Sequence, residues 1–217
     1  MKSTALLILS FLSFSAIHGA ETEQIRPLSG RNLAGRVTVD GKPRQGVVVS
    51  DGVNVVATDD NGVYQMNTSG RQHVFVSVPS DCEIPIENGK PKIYEEIDFG
   101  DRKTPLQIDF NLKSQPKATK FQLMAMADIQ PGDLVEIAML DEQIMPGMIE
   151  FANTLSGNVY GISLGDIVWN NPGLYDSYNT HISRMGIPVF PVIGNHDHNE
   201  FVHDDTMSDK DFRDFFG

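Results

Sequence analysis

Short runs of alternating apolar and polar residues extend from about residue 32 to residue 112. Such alternation predicts strands, because successive side chains of a strand point to opposite faces of a sheet. The predicted strands are residues 36–39, 47–50, 53–58, 63–66, 73–78 and 106–112. Turn dipeptides with glycine in second place separate several of them, namely Asp40-Gly41, Asp51-Gly52 and Asn61-Gly62. The pattern therefore predicts an all-β sandwich domain over residues 30–113.

The pattern changes after residues 114–119, which contain Pro116 and are expected to form a linker. Three apolar runs follow, at 121–127, 159–164 and 188–193, and helix-like segments at 141–155 and 174–185 lie between them. Alternating strands and helices are typical of βα units around a mostly parallel sheet. We therefore expect an α/β domain over residues 120–217.

Each of the three apolar runs is followed closely by potential ligands. Asp128 and Gln130 follow the first run, Asp166 the second, and Asn195 and His196 the third. Parallel strands bring their carboxyl ends to one edge of the sheet, so these side chains are expected to lie close together. Carboxylate, carboxamide and imidazole groups suit divalent ions such as Mn, Fe, Zn or Mg.

Motifs in the first domain resemble the carboxypeptidase regulatory-like β-sandwich. They are Gly35-x-Val37, Gly41-x-Pro43-x-x-Gly46-Val47-x-Val49 and Thr58-Asp59-x-x-Gly62-x-Tyr64. Modules of that kind are usually accessories to another domain, so we assign this one no chemistry.

Three blocks of the second domain resemble the calcineurin-like metallophosphoesterases. They are Asp128-Ile129-Gln130, Gly165-Asp166-Ile167-Val168-Trp169 and Gly194-Asn195-His196-Asp197. The β-sandwich also resembles the N-terminal domain found on one group of these enzymes. The resemblance implies an αββα metallophosphoesterase domain, of which residues 120–217 are the first part.

The resemblance also implies a role for each matching residue. Asp128 binds the first of two divalent ions, Asp166 bridges both, and Asn195 binds the second. His196 protonates the leaving alkoxide or stabilises the transition state, and Asp197 orients the imidazole. The implied reaction is in-line attack of a metal-bridging hydroxide on a phosphomonoester or phosphodiester; pyrophosphates and lipid head groups are compatible too.

The chain departs from the family pattern in three places. Gln130 stands where histidine is usual, and its amide oxygen is a candidate metal ligand or a partner of the ligands. Trp169 stands where aspartate is frequent. The later Gly-His-x-His block is not reached before Gly217. These departures predict an incomplete catalytic domain with little or no activity by itself. His198 is a further candidate, for the lining of the substrate pocket.

The first 20 residues read as a secretory signal. Lys2 precedes an apolar run at 5–14, and small residues lead to an expected cleavage site after Ala20. The run is shorter than the ~20 apolar residues that span a bilayer, and no later run reaches that length. The sequence thus predicts a secreted or periplasmic protein with no membrane span in the mature chain.

The net charge is −12, from 17 Lys and Arg against 29 Asp and Glu. This argues against a broad surface for nucleic acid, because such surfaces need clustered basic residues. A phosphoester substrate remains compatible, because bound metal ions supply positive charge locally. The single cysteine, Cys82, excludes an internal disulfide framework. The oligomeric state is not predicted.

Two other interpretations compete with the phosphoesterase. Residues 161–165 fit Gly-x-Ser-x-Gly, the nucleophile elbow of α/β-hydrolases, with Ser163 as nucleophile. An elbow needs a helix directly after the serine, and Asn170-Asn171-Pro172 disfavours one. The other alternative is an exported, non-catalytic binding or adhesion module with a degenerate phosphoesterase fold.

Overall fold

The computed structural model of the protein describes residues 24–68, 73–100 and 105–217. The predicted signal segment, residues 1–20, lies outside the described residues. Within the described ranges, no helix combines the length and apolar character needed to cross a membrane.

The first half of the chain is strand-rich, as its alternating pattern predicts. Its strands are β1 Leu33–Val39, β2 Lys42–Pro43, β3 Val48–Ser50, β4 Val55–Ala57, β5 Val63–Met66, β6 His73–Val76, β7 Ile86–Glu87, β8 Lys90–Pro91, β9 Tyr94–Glu96, β10 Leu106–Gln107 and β11 Phe110–Leu112. One sheet has five strands, with β1 beside β10 and β11 and paired also to β2 and β5. A second sheet has the order β4-β3-β6-β9, and β7 and β8 form a separate hairpin. This architecture is consistent with a β-sandwich.

Buried apolar residues in this half recur at every second position. Val74 with Val76 and Phe110 with Leu112 point inward, and the residues between them are more exposed. Tyr64 joins the same core, and its hydroxyl donates to the carbonyl of Ile108 at 2.7 Å. Burial raises the pKa of the Tyr64 phenol. The period of two therefore places one face of each sheet in a common core.

Two details of this domain differ from the predicted strands. The last predicted strand is divided into β10 and β11, and between them Asp109 accepts a hydrogen bond from the backbone N–H of Arg36 at 2.7 Å. The strands β2, β7 and β8 are two residues long, and each adjoins a turn. Runs this short carry too few alternating positions to stand out in a sequence.

The second half contains a three-stranded parallel sheet in the order β12-β13-β14. These strands are Phe121–Met126, Asn158–Leu164 and Val189–Val192. The helices are α1 Leu134–Met139, α2 Met145–Thr154, α3 Tyr175–Ile182 and α4 Lys210–Phe216. The three strands and helix α3 lie close to their predicted positions.

The first helical segment begins earlier than the pattern indicates. Asp133 caps α1, and its carboxylate accepts from the N–H groups of Val135 and Glu136. A π-helical turn, Leu140–Ile144, then connects α1 to α2. Pro146 stands in the first turn of α2. A proline has no N–H to donate to the preceding turn, which explains the local change of helical register.

The helices cover one face of the parallel sheet. Met126 and Val189 contribute to a core with Ile137, Tyr178 and Phe212. The opposite face is exposed over several large apolar side chains. They are Phe121, Leu123, Leu164 and Val192, with exposed fractions of 65%, 55%, 51% and 43%.

The two halves meet at the β7–β8 hairpin and α4. The ammonium of Lys90 lies 4.0 Å from the ring centre of Phe215 and donates to the carbonyl of that residue. The hydroxyl of Tyr94 donates to the carbonyl of Phe216 at 2.6 Å. Burial lowers the pKa of Lys90 and raises that of Tyr94.

Candidate functional site

The three parallel strands end at the same edge of the sheet, and the chain turns sharply after two of them. Asp128, Gln130, Asp166 and Asn170 all have left-handed backbone conformations, with φ between 47° and 51°. Few non-glycine residues adopt this region, asparagine and aspartate more often than the others, and the conformation costs on the order of 1–3 kcal/mol per residue. Such strain concentrates at ligand sites, so these turns mark the edge as a candidate site.

Two glycines allow the strand ends to approach each other. Gly165 has φ of +86°, and a side chain there would lie 3.0 Å from the Cα of Gly194. A Cβ on Gly194 would lie 2.1 Å from both the backbone nitrogen and Oδ1 of Asp166. Any side chain at position 194 would therefore displace Asp166.

The structure brings the predicted ligands of the first two strands together. The amide Nε2 of Gln130 lies 2.9 Å from Oδ2 of Asp166 and 3.3 Å from Oδ1 of Asp128. The other oxygen of Asp166, Oδ1, accepts the backbone N–H of His196 at 3.0 Å. Asp166 is buried, whereas Asp128 is exposed. Asp166 therefore joins the second strand end to both of its neighbours.

The chemistry of these donors suits a hard divalent cation. Asp128, Gln130, Asp166 and Asn195 offer carboxylate and carboxamide oxygens, and Asn195 is exposed at the start of a 3₁₀ turn, Asn195–Asp197. Among the described residues, no group of three or more His, Cys, Asp and Glu side chains is arranged to hold a metal. The candidate set thus differs from a His-rich or Cys-rich metal centre.

The carboxylate of Asp197 is surrounded by backbone N–H donors of two turns. Asp197 is fully buried, and its carboxylate accepts the backbone N–H groups of Ile167, Val168 and Gly194 at 2.9–3.2 Å. These bonds tie the turn after β13 to the turn after β14. The carboxylate faces these backbone donors, and a role for Asp197 in orienting the imidazole of His196 stays a prediction.

Two residues that sequence reasoning set aside contact His196 instead. Nδ1 of His196 lies 2.8 Å from Oδ1 of Asn170. The indole of Trp169 stacks on the imidazole, with ring centres 3.7 Å apart and planes inclined by 22°. The sequence showed Asn170 only as a helix-breaking residue and Trp169 only as a departure from the motif. Trp169 and Asn170 follow Asp166 by three and four residues, and this proximity in sequence is the signal that could have suggested their contacts with His196.

His198 and Ser163 lie in other surroundings. Nδ1 of His198 pairs with Oγ of Ser208 at 2.7 Å, within the segment that follows the third strand. Ser163 lies inside β13, is 3% exposed and pairs with the hydroxyl of Tyr178 at 2.6 Å. A buried serine within a strand is not presented at a nucleophile elbow, in agreement with the expectation for Ser163. A substrate-binding role for His198 stays a prediction.

A cleft of about 440 Å³ lies at the junction of the two halves, away from the strand ends. Its lining is mixed in charge and includes His73, Tyr94, Arg213 and Phe215. None of the candidate ligands lines it, so the strand-end site is an open edge and this cleft is a separate feature.

Comparison with known protein families matches residues 31–115 to the family described as the N terminal of calcineurin-like phosphoesterase. A comparison with curated proteins finds no match for the chain. The matched residues span the strands β1 to β11, that is, the whole strand-rich half. Residues 31–115 are therefore similar to the N-terminal domain of calcineurin-like phosphoesterases.

Proposed function

We propose that this protein is an exported, metal-dependent phosphoesterase that hydrolyses phosphomonoesters or phosphodiesters at the ends of β12, β13 and β14. The observation that carries the proposal is the convergence of the side chains of Asp128, Gln130 and Asp166. The backbone N–H of His196 donates to the same Asp166 carboxylate. The family match of residues 31–115 supports the assignment, because that domain belongs to phosphoesterases.

Four side chains are the proposed metal ligands: Asp128, Gln130, Asp166 and Asn195. Rotation of the Gln130 amide exchanges nitrogen for oxygen, so this residue offers either a donor or an oxygen ligand. All four offer oxygen ligands, which favours Mg²⁺ or Mn²⁺ over Zn²⁺ or Fe²⁺. Two ions need more ligands than these four side chains supply. Water, substrate or further protein groups would complete the coordination shells of the ions.

Bound divalent ions would neutralise the phosphoryl oxygens and lower the pKa of a water molecule that attacks phosphorus. The chain's own groups arrange the rest. Asp166 holds the backbone of His196 beside the ligands, and the imidazole is available to pass a proton to the leaving oxygen. Asp197 links the turn after β13 to the turn after β14 through its hydrogen bonds with both.

Metal binding by the chain tests the proposal directly. Trp169 is the only tryptophan and stacks on His196, so its fluorescence reports on this site. We expect Mn²⁺ to quench Trp169 saturably in the purified chain. Asp166→Asn should weaken Mn²⁺ binding by about 100-fold or more, because it removes a ligand charge. Asp60→Asn, the same change on the sandwich domain, should leave binding unaltered.

Hydrolysis of bis(p-nitrophenyl) phosphate and p-nitrophenyl phosphate distinguishes the substrate classes. Protein purified from its source should show Mn²⁺- or Mg²⁺-dependent turnover, and the isolated chain little, because four donors are fewer than two ions require. Absence of stoichiometric metal, together with an Asp166→Asn variant altered only in stability, would contradict the proposal. That outcome would favour the non-catalytic binding module.

Export is part of the proposal and has its own test. N-terminal sequencing of the protein from its source should find a mature chain that begins near Glu21, after removal of residues 1–20. Recovery of the protein from the periplasm or the medium with Met1 still present would contradict cleavage.

A further inference from the structure

The imidazole of His196 is held by two neighbours on consecutive residues. Asn170 approaches Nδ1 through its side-chain oxygen at 2.8 Å, and the Asn170 backbone N–H donates to the carbonyl of His196 at 3.0 Å. Trp169 covers one face of the ring at 3.7 Å. The imidazole is thus contacted at Nδ1 and on one face, and the backbone carbonyl of His196 accepts a hydrogen bond.

The second contact of the Asn170 amide fixes which of its atoms faces the imidazole. Its Nδ2 lies 3.3 Å from Oε1 of Glu200, a carboxylate that only accepts hydrogen bonds. The amide oxygen is therefore the atom directed at His196. Because an amide oxygen also only accepts, Nδ1 of the neutral imidazole must carry the proton.

The backbone at this position explains why asparagine can do this. Asn170 has φ of +50°, and asparagine is one of the few non-glycine residues that enter the left-handed region readily. This turn directs the side chain back across the strand ends toward residue 196. Asp197, the residue expected in this role, is occupied by backbone donors of the neighbouring turns.

We propose that Asn170 and Trp169 are positioning residues for His196: Asn170 holds the imidazole in the Nδ1–H form, and Trp169 fixes the plane of the ring. Nε2 is then the nitrogen left free to exchange a proton with the substrate's leaving oxygen. This inference rests on the proposed phosphoesterase function for its catalytic meaning. The tautomer and the ring stacking can be measured without any substrate.

Long-range ¹H–¹⁵N NMR of the full chain, metal-free and labelled in histidine, tests the role of Asn170. The spectra are recorded at a pH where the imidazoles are neutral, and the signals of His196 among the six histidines are identified with His196→Gln. In the wild-type chain we expect Nδ1 protonated and Nε2 unprotonated.

Three variants isolate the contact with Asn170. Asn170→Gly removes the amide but tolerates the positive φ, so we expect a mixed or Nε2–H tautomer in a folded protein. Asn170→Asp keeps an acceptor and should retain the Nδ1–H form. Asn171→Ala, whose native amide donates to Gly132 at 3.1 Å and not to His196, should match the wild type. An Nε2–H wild-type ring, or an Nδ1–H ring that persists in Asn170→Gly, would overturn the proposal.

Ring-current shifts test the role of Trp169. We expect the carbon-bound ring protons of His196 to be shifted upfield in the wild type, because they lie over the indole. The shift should be largely retained in Trp169→Phe and lost in Trp169→Ala. Equal His196 proton shifts in the wild type and in Trp169→Ala would overturn the stacking part of the proposal.

Kinetics of the intact enzyme connect positioning to catalysis. We expect Asn170→Gly to lower kcat by about 10-fold or more with little change in KM, and Asn170→Asp to restore it. An unchanged kcat in Asn170→Gly would overturn the catalytic meaning of the contact. If the tautomer depends on Asn170 but the wild-type protein hydrolyses no phosphoester, the positioning stands and the proposed function fails.

Discussion

Asp197 illustrates how one buried side chain organises a site without touching its ligands. It is fully buried, and its carboxylate accepts hydrogen bonds from backbone N–H groups of the turns after β13 and β14. The hydroxyl of Tyr175 donates to its carbonyl at 3.0 Å. A buried acceptor with several donors is costly to remove, because each donor is left without a partner.

Replacement of Asp197 should therefore destabilise the second half of the protein. We expect Asp197→Ala to lower the free energy of unfolding by about 3 kcal/mol, and Asp197→Asn to lower it less, because the amide oxygen still accepts. Asp214→Ala, at an exposed carboxylate paired with Lys210, should change it by no more than about 0.5 kcal/mol. Urea unfolding measures all three, and equal losses in Asp197→Ala and Asp214→Ala would contradict this account.

We expect Asp51 to make the sandwich domain sensitive to acid. Burial opposes ionisation of this carboxyl, but hydrogen bonds from the side chain and backbone of Asn54 and from the backbone of Val53 outweigh it and hold the pKa of Asp51 below its ordinary value. A lowered folded-state pKa stabilises the protein above the unfolded pKa of about 3.9, and that stabilisation is lost as pH falls through the folded value.

The unfolding free energy of the wild type should thus decline as the pH drops below about 4, and that of Asp51→Asn should decline less. Urea unfolding monitored by circular dichroism at several pH values provides the comparison. Asp98→Asn, at an exposed turn, serves as the matched control. Parallel pH profiles for the wild type and Asp51→Asn would refute the role of Asp51.

The strand–turn junctions, more than the strands, carry the candidate chemistry. Each of the first two parallel strands passes into a left-handed turn within two residues of its end, at Asp128 and Asp166. The third turns at Gly194, whose backbone lies against Asp166. The geometry of the ligands therefore depends on a backbone approach that only glycine permits.

Gly194→Ala tests that dependence. The added Cβ would lie 2.1 Å from two atoms of Asp166, so we expect a loss of about 2 kcal/mol or more in stability and at least a 10-fold weaker Mn²⁺ quenching of Trp169. Gly147→Ala is the matched control. Gly147 lies in α2 with open space around it, so alanine should stabilise the helix by roughly 0.5–1 kcal/mol. Unaltered Mn²⁺ binding in Gly194→Ala would contradict the close-approach argument.

The molecule as a whole leaves one face of its parallel sheet in contact with solvent. Parallel sheets are generally covered on both faces, whereas the helices among the described residues cover one face of this sheet. Leu123 and Leu164 are among the exposed apolar residues, and strand register places them on the same face. A contiguous apolar surface of this kind binds hydrophobic dyes.

We expect the isolated chain to enhance the fluorescence of 8-anilinonaphthalene-1-sulfonate, and the double variant Leu123→Lys/Leu164→Lys to reduce that enhancement with little change in stability. Leu28→Lys, at an exposed apolar residue outside the sheet, is the control and should leave dye binding unchanged. Equal dye fluorescence in all three proteins would show that the sheet face is covered in solution.

Periodicity and motif order were enough to predict the longer strands of both halves, the parallel sheet and the convergence of Asp128, Gln130 and Asp166, but not the short strands β2, β7, β8 and β9. These features follow from local rules: a strand alternates its faces, and parallel strands end at one edge. The early start of the first helix, which Asp133 caps, was not predicted from the sequence. The π-helical turn at Leu140–Ile144 interrupts the apolar period in this segment.

The partners of individual side chains were decided by the tertiary structure alone. His196 pairs with Asn170 across 26 residues, and Asp197 takes its donors from Ile167 across 30. Both choices depend on how two strand-end turns pack against each other, with left-handed residues and a glycine contact setting the distance. A sequence motif specifies which groups are available at a sheet edge, but packing of the turns determines which of them meet.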